Sequence, residues 1–486
     1  MSVLPFARQL FRTLIISLPI VSVAATTSID ATNPNVVVHP LDPAYTIDSP
    51  DASFSKEITE NTATTSEAER SITIAFLLPP DESPFLPAAR IVGNGLLTAS
   101  RVSGRNADIM LIEAPETVEI RELIDTAIFS SADVIVGPLQ KDQVEQLARE
   151  KDLPIPIVTL NYAAVPEKEI SPSMLMLSVA TDLEAEYIAK QAVKALPAET
   201  SNGQPPKVLI LTTDKPWEKR LCEAYMNVLQ DSGVQYEVFT VSMDNLQELQ
   251  DKCRPELSEE ELLKFSHMVE TATDEKELKQ VHEAQRASTA IAEPPYHSVL
   301  LALDARDAGL VRSRLPLRTS VWATSTTNPG DPKTSSNASA LAFDLNHVVF
   351  AECPFILRYD NESFEAKFKT SLPYSMPAKR LFALGLDAYE VAEDWARGYK
   401  SFEINGETGQ LMINRDLSAQ VVRIPASFEI RSGELFNISP VGLDVPMKSQ
   451  MQESEESKIS PSENEPETSI EPEVAQTIDT TPDSNI

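Results

Sequence analysis

Five short stretches carry the residue types able to hold another molecule: Gly137-Pro138, Asn161-Tyr162, Asp214 with Trp217, Asp304, and Thr324-Ser325-Thr326. Each follows an apolar run that reads as a strand, so each opens on the crevice beyond the carboxyl ends of a parallel sheet, where α/β proteins bind ligands. An amide and small hydroxyls there suit hydrogen bonds to a polar ligand, a carboxylate suits an amine, and Trp217 suits the wall of a cleft. Each also has a plainer use. Asp304 and Asp307 flank a strand end and a helix start, and helix capping explains both acids at lower cost. Asp214 is similar. A tryptophan one turn into a helix is more often core, and the hydroxyls of Thr324, Ser325 and Thr326 equally satisfy loop backbone.

Covalent chemistry finds little support. The chain contains no G-x-S-x-G, no H-E-x-x-H, no paired C-x-x-C and no G-x-x-x-x-G-K phosphate loop. The five histidines, His39, His267, His282, His297 and His347, are dispersed without ligand spacing. No metal site or cofactor is implied. Acids such as Glu259, Glu260 and Glu261 read as a solvated helix face. Only Cys222, Cys253 and Cys353 are present. An odd number leaves at least one thiol unpaired in a monomer; Cys222 with Cys253 could pair, and the plainer reading is three small core or surface residues.

Positioning such loops requires alternating strands and helices. The clearest unit runs from Asp133 to Asn161: the β-branched run Val134 to Val136 stops at Gly137-Pro138, and a helix with Val144, Leu147 and Ala148 on one stripe follows. Pro154 ends that helix, and Ile155 to Leu160 makes the next strand, giving a right-handed strand-helix-strand unit. Burying an Ile or Val gains roughly 1.5 to 3 kcal/mol, whereas ordering each backbone residue costs about 1 to 2. Layers must therefore cover both sheet faces.

The flanking sequence supplies them. Strands are predicted at Ile72 to Leu78, Ala107 to Ala114 and Met174 to Ala180, with helices at Leu86 to Val102, Val118 to Ser131 and Leu183 to Leu196. A Ser/Asn/Gly/Pro linker at Thr200 to Pro206 precedes a second half on the same plan. That half has strands at Lys207 to Asp214, Val234 to Val241, His297 to Ala305, Ser320 to Thr326 and His347 to Phe350. Helices at Trp217 to Leu229 and Arg306 to Arg314 intervene. Between Asn245 and Thr289 lies a charged helical stretch, broken near Pro255, longer than a simple crossover requires. Ala378 to Tyr399 is an amphipathic helix with Leu381, Leu384, Ala388, Val391 and Trp395 inward, and a hairpin centres on Gly406 to Gly409. The length fits two similar α/β lobes rather than one oversized sheet.

Composition limits the partners. With 486 residues, 42% of them hydrophobic, the chain can fill two cores, and a formal charge of -32 argues against nucleic acid or an anionic membrane surface. Ten acids and one lysine fall between Met451 and Ile486, in an aperiodic tail expected to be disordered. At the N-terminus, Arg8 and Arg12 precede the apolar run Leu14 to Val23 and then Ala24-Ala25-Thr26, the layout of a cleaved export signal or, alternatively, an uncleaved anchor. No cysteine lies near that cleavage site to take a lipid. Thr26 to Arg70 reads as a flexible tether.

The order of DVIVGPLQKDQVEQLA (Asp133 to Ala148), PIVTLN (Pro156 to Asn161), HSVLLALDARDAGLVR (His297 to Arg312), SVWATST (Ser320 to Thr326), RLFALGLDAYEVA (Arg380 to Ala392) and GETGQLMI (Gly406 to Ile413) resembles the type I periplasmic solute-binding fold, and within it the LppC-type activators of penicillin-binding proteins. That resemblance implies two Rossmann-like lobes with mostly parallel sheets joined by three hinge crossings. The expected layout is a signal peptide (1–25), a disordered linker (26–70), lobe 1 (71–182 and 359–402), lobe 2 (183–358 and 403–440) and an acidic tail (441–486). It further implies a non-catalytic envelope protein, periplasmic or on the periplasmic face of the outer membrane, that stimulates cross-linking by a bifunctional penicillin-binding protein. The alternative is a periplasmic receptor delivering an amino acid or similar small solute to an importer. Binding to a synthase would distinguish the first, and a saturating ligand-induced rise in melting temperature the second.

Overall fold

The computed structural model describes residues 37–41, 71–105, 107–113, 118–200, 203–330 and 335–439. The signal (1–25), most of the linker (26–70) and the acidic tail (441–486) lie outside the described residues.

The first sheet is assembled from β1 (Val37–Leu41), β2 (Ile72–Leu78), α1 (Leu86–Val102), β3 (Ala107–Glu113), α2 (Ile120–Phe129), β4 (Val134–Val136), α3 (Lys141–Ala148), β5 (Ile157–Thr159) and β6 (Met174–Met176). Its strand order is β1-β3-β2-β4-β5-β6, parallel except for β1. Val134, Ile135, Val136, Ile157 and Val158 are all fully buried, as a strand covered on both faces must be. The tether expectation fails at residues 37–41, which form β1, antiparallel to β3. The run Val36-Val37-Val38 has high β-propensity, and β3 offers an otherwise unpaired edge. Pro40 is tolerated because the strand is an edge.

The second sheet follows through α4 (Thr181–Lys194), β7 (Lys207–Thr212), α5 (Pro216–Asp231), β8 (Gln235–Thr240), α6 (Leu246–Lys252), α7 (Glu259–Thr271), α8 (Glu275–Ile291), β9 (Ser298–Ala302), α9 (Ala305–Arg312), β10 (Ser320–Ala323), α10 (Ser336–Asp344) and β11 (Val348–Glu352). The chain then returns to the first lobe as α11 (Pro354–Arg358), α12 (Asn361–Phe368) and α13 (Met376–Ala396), continues as β12 (Ser401–Asn405), β13 (Gln410–Asn414) and β14 (Val422–Ile424), and ends in β15 (Ala426–Arg431) and β16 (Glu434–Asn437). The second sheet runs β16-β15-β11-β10-β9-β7-β8, with β15 and β16 antiparallel, and β12-β13-β14 make a small antiparallel sheet. Without the antiparallel additions both lobes share one order: second, first, third, fourth and fifth strand of the lobe.

Residues 403–440 do not return to the second lobe as one piece. Ile404, Leu411, Ile413 and Val421 are buried in the first lobe's core, and the Met176 N–H donates to the Ala419 carbonyl at 2.8 Å while the Val421 N–H donates to the Met176 carbonyl at 3.0 Å. Only at Pro425, between β14 and β15, does the chain pass to the second sheet. Alternating apolar residues mark the strands in sequence, but both lobes offer an open edge to receive them.

Helix α13 is the centre of the first lobe. Its Leu384, Ala388, Val391 and Trp395 are buried, with Trp395 at 6% exposure. It crosses α1 so closely that a Cβ on Gly385 would lie 2.0 Å from the Val92 carbonyl oxygen, and one on Gly95 2.1 Å from that of Phe382. Backbone meets backbone there, which only glycine permits.

Candidate functional site

Among the described residues the chain crosses between lobes three times: after β6 into α4, at Cys353-Pro354, and at Pro425. A buried charge stands at each crossing: Glu184 in the first turn of α4, Glu352 at the end of β11, and Arg423 in β14. Arg380, from the first turns of α13, joins them. The side chains of Glu184 and Glu352 are 0% exposed.

The four charges form two pairs with shared neighbours. Arg423 Nη2 donates to Glu184 Oε1 at 2.9 Å, and its Nη1 to the Thr408 carbonyl at 3.1 Å. Arg380 forks onto Glu352, Nε to Oε1 at 2.9 Å and Nη2 to Oε2 at 2.6 Å. Ser325 bridges them: its N–H donates to Glu184 at 3.2 Å, and its carbonyl accepts from Arg380 at 2.9 Å. Asn328 and the Cys353 N–H complete Glu352 at 2.7 and 2.8 Å. Burial alone would lower the Arg380 pKa, but the adjacent Glu352, with Glu184 behind it, raises it instead. Arg423 is raised by the same opposition of burial and Glu184. The charges cancel, and such a cluster resists separation because each member, left alone, would be a buried unpaired ion.

Thr408 extends the network into the first lobe. Its N–H and hydroxyl donate to Asp387 Oδ2 at 2.8 and 2.5 Å, and the Glu407 N–H donates to Oδ1 at 2.6 Å. Burial pushes the Asp387 carboxyl up to about 7 against the downward pull of these donors. Gly406 makes room, since a Cβ there would stand 2.6 Å from Asp387 Oδ2. Glu407 in turn pairs with Arg358 at 2.6 Å and Lys367 at 3.2 Å.

The sequence-predicted site residues divide between the lobes. Pro138 lines a cavity of about 650 Å³ in the first lobe, with Leu77, Leu78, Val118, Leu123 and Gln140. It opens at the carboxyl ends of β2 and β4, where strand order reverses. Gly137 precedes Pro138 with φ 113°. Asn161 is spent locally, donating to the Leu139 carbonyl at 3.1 Å and accepting from the Tyr162 N–H at 3.0 Å. The Tyr162 hydroxyl bonds Asp182 of α4; burial first, then Asp182, raises its pKa.

In the second lobe, Asp304 caps α9, accepting from the Asp307 N–H at 3.0 Å, and pairs with Lys215 at 3.0 Å. Asp214 has φ 69° and pairs with Lys219 at 3.3 Å. Trp217 is half-buried against the core between α4 and α5. Thr324 and Thr326 share a 2.9 Å hydroxyl contact, and Thr326 donates to the Leu303 carbonyl at 3.1 Å. Of the residues singled out from sequence, Ser325 alone joins the crossing cluster. Cys222, Cys253 and Cys353 are free and buried.

Sequence reasoning missed Glu184, Glu352, Arg380, Asp387 and Arg423. One signal was present: Arg380, Leu384, Asp387 and Val391 repeat at helical spacing, so two charges share the inward stripe of α13, Asp387 fully within it and Arg380 at its partly exposed start. Among the described residues no group of His, Cys, Asp or Glu is placed to hold a metal ion, and no helix is long and apolar enough to cross a membrane.

No curated protein matches the chain. Its fold is similar to that of a "putative branched-chain amino acid ABC transporter" from Chromobacterium violaceum, at TM-score 0.51 and 21% identity, covering 73% of this chain and 99% of that one. The C-domain of LpoA (YraM) from Haemophilus influenzae, described as a regulator of PBP1A, matches at TM-score 0.51 and 13% identity, over 75% of this chain and 99% of that one. Full-length LpoA from the same organism matches at TM-score 0.51 and 14% identity, over 76% of this chain but only 59% of its own length. The fold is thus similar to that of these solved proteins, and the chain, matched over residues 52–424, belongs to the family described as "LppC putative lipoprotein".

Proposed function

We propose that this protein is an exported, non-catalytic envelope protein that binds a bifunctional penicillin-binding protein and stimulates its cross-linking of peptidoglycan. Membership of the LppC family over residues 52–424 carries this reading, and likeness to the LpoA C-domain, a regulator of PBP1A, supports it. The crossing cluster gives it a physical form. A solute receptor works by reorienting its lobes around a ligand, and a ligand shifts that equilibrium only by its differential affinity for the closed form. Here Glu184–Arg423 and Glu352–Arg380 tie the crossings together, and separating one member of a buried pair costs about 3 to 5 kcal/mol. A body held in this way suits a surface on which another protein rests. Its side chains at the crossings are engaged with one another.

Residues 1–25, read as an export signal, support action in the periplasm or on the inner face of the outer membrane. The test is direct binding of the purified mature chain to a bifunctional penicillin-binding protein from the same cell. Micromolar or tighter binding that persists in moderate salt is expected. Absence of binding at micromolar concentration, in low and moderate salt alike, refutes the proposal.

A further inference from the structure

The two lobes repeat the same strand order, so their connections can be compared one for one. In the first lobe the chain passes from β3 to β4 through residues 114–133, whose described part, 118–133, holds one helix, α2; the matching passage from β8 to β9 takes residues 241–297 and holds three, α6, α7 and α8. A crossover needs about a dozen residues or more. The extra length forms α7 and α8, a helical pair with its own small core of Leu257, Phe265 and Val281, separate from the four clusters that fill the lobes.

That core does not cover α7. Leu262 is 47% exposed, Met268 38% and Val269 36%, while Leu263 on the opposite side is 72% exposed. Leu262, Phe265 and Val269 repeat at i, i+3 and i+7, so the exposed positions continue one stripe beyond what α8 buries. An amphipathic helix that leaves its stripe partly wet is a recognised mode of docking. The surrounding charge states what fits: from Glu256 to Glu277 there are eight acids and two lysines. A second copy, carrying the same excess within a chain of charge -32, would be repelled.

Resting on the function proposed above, we propose that the α7–α8 pair is the surface that docks the synthase, taking from it an apolar patch rimmed by lysine and arginine. Apolar contact sets the residence time of such a complex, and the acids set its salt dependence.

Two variants of the full mature chain test this against the bifunctional penicillin-binding protein. Leu262→Asp with Val269→Asp places charge on the stripe. Glu259→Lys, Glu260→Lys and Glu270→Lys reverse three exposed acids and leave the capping Glu261 in place, so this variant disturbs no buried contact. Each is expected to weaken binding about tenfold or more, and the second to flatten the salt dependence as well. Wild-type binding with both variants within twofold of it overturns the docking surface and leaves the function standing. Failure of the wild-type chain to bind overturns both.

Discussion

Replacing Arg380 with Met is the sharpest perturbation of the crossings. Methionine keeps most of the apolar stem and removes the fork that reaches Glu352 at 2.9 and 2.6 Å. Among the described residues Glu352 then keeps Asn328 at 2.7 Å and the Cys353 N–H at 2.8 Å, on a side chain with no exposure. Leaving such a charge uncompensated costs about 3 to 5 kcal/mol. With a urea dependence near 3 kcal/mol per molar, that lowers the denaturation midpoint by about 1 to 1.7 M. Glu352→Gln alone is expected to cost less than Arg380→Met, because the partly exposed Arg380 guanidinium keeps the Ser325 carbonyl at 2.9 Å. Combining the two should cost much less than the sum, with a coupling of about 2 kcal/mol or more in the double-mutant cycle. Equilibrium urea unfolding of the four proteins, followed by tryptophan fluorescence and circular dichroism, measures this. A single-variant loss below about 1 kcal/mol, or costs that simply add, refutes the claim that the pair is a buried pin.

Other outcomes follow from the same contacts. The folded state holds the Asp387 proton up to about pH 7, while an unfolded aspartate gives it up near pH 4. The stability this group contributes is therefore present below about pH 4 and lost as pH rises to about 7; the difference between wild type and Asp387→Asn, measured by urea unfolding from pH 5 to 8, should change across that window by up to about 1.4 kcal/mol per pH unit, and a constant difference contradicts it. Gly385→Ala drives a methyl to within 2.0 Å of the Val92 carbonyl, so α1 and α13 must separate at a cost of about 3 kcal/mol or more; an unchanged melting temperature would show that the helices do not meet backbone to backbone. The three thiols are buried, and burial pushes the Cys253 thiol up to about 11. A thiol reagent should therefore react slowly with native protein and promptly with three groups in urea, and a fast native reaction would contradict the burial.

Much of the architecture was legible because it rests on local pattern. Val134 to Val136 stopping at Gly137-Pro138, the stripe of Leu384, Ala388, Val391 and Trp395, and the break near Pro255 each carry their signal within a few residues. The passage expected as one broken helix is three, α6, α7 and α8; Pro255 marks the first gap, while the second, at 272–274, ends at the Asp274 cap, which accepts from the Glu277 N–H at 2.7 Å. β1 looks like tether in sequence because proline and polar residues surround its valines, and its partner strand lies some 70 residues away. The crossing cluster was out of reach for a stronger reason. Glu184 and Arg423 stand 239 residues apart, and nothing in either neighbourhood announces the other. Gly406 and Thr408 stand out in sequence as part of a hairpin, but their purpose, clasping Asp387, appears only once α13 and the loop are side by side. Asp304 shows the converse: the cap expected from its position is what the structure contains, with Lys215 added.

The central claim is that this two-lobed body acts by holding a peptidoglycan synthase rather than by capturing a small solute. Measuring the cross-linked fraction of the peptidoglycan made by a purified bifunctional penicillin-binding protein, with and without equimolar mature chain, tests it most directly. The account expects a severalfold rise that saturates near one to one. An unchanged cross-linked fraction, together with a saturating thermal shift produced by an amino acid, would contradict it.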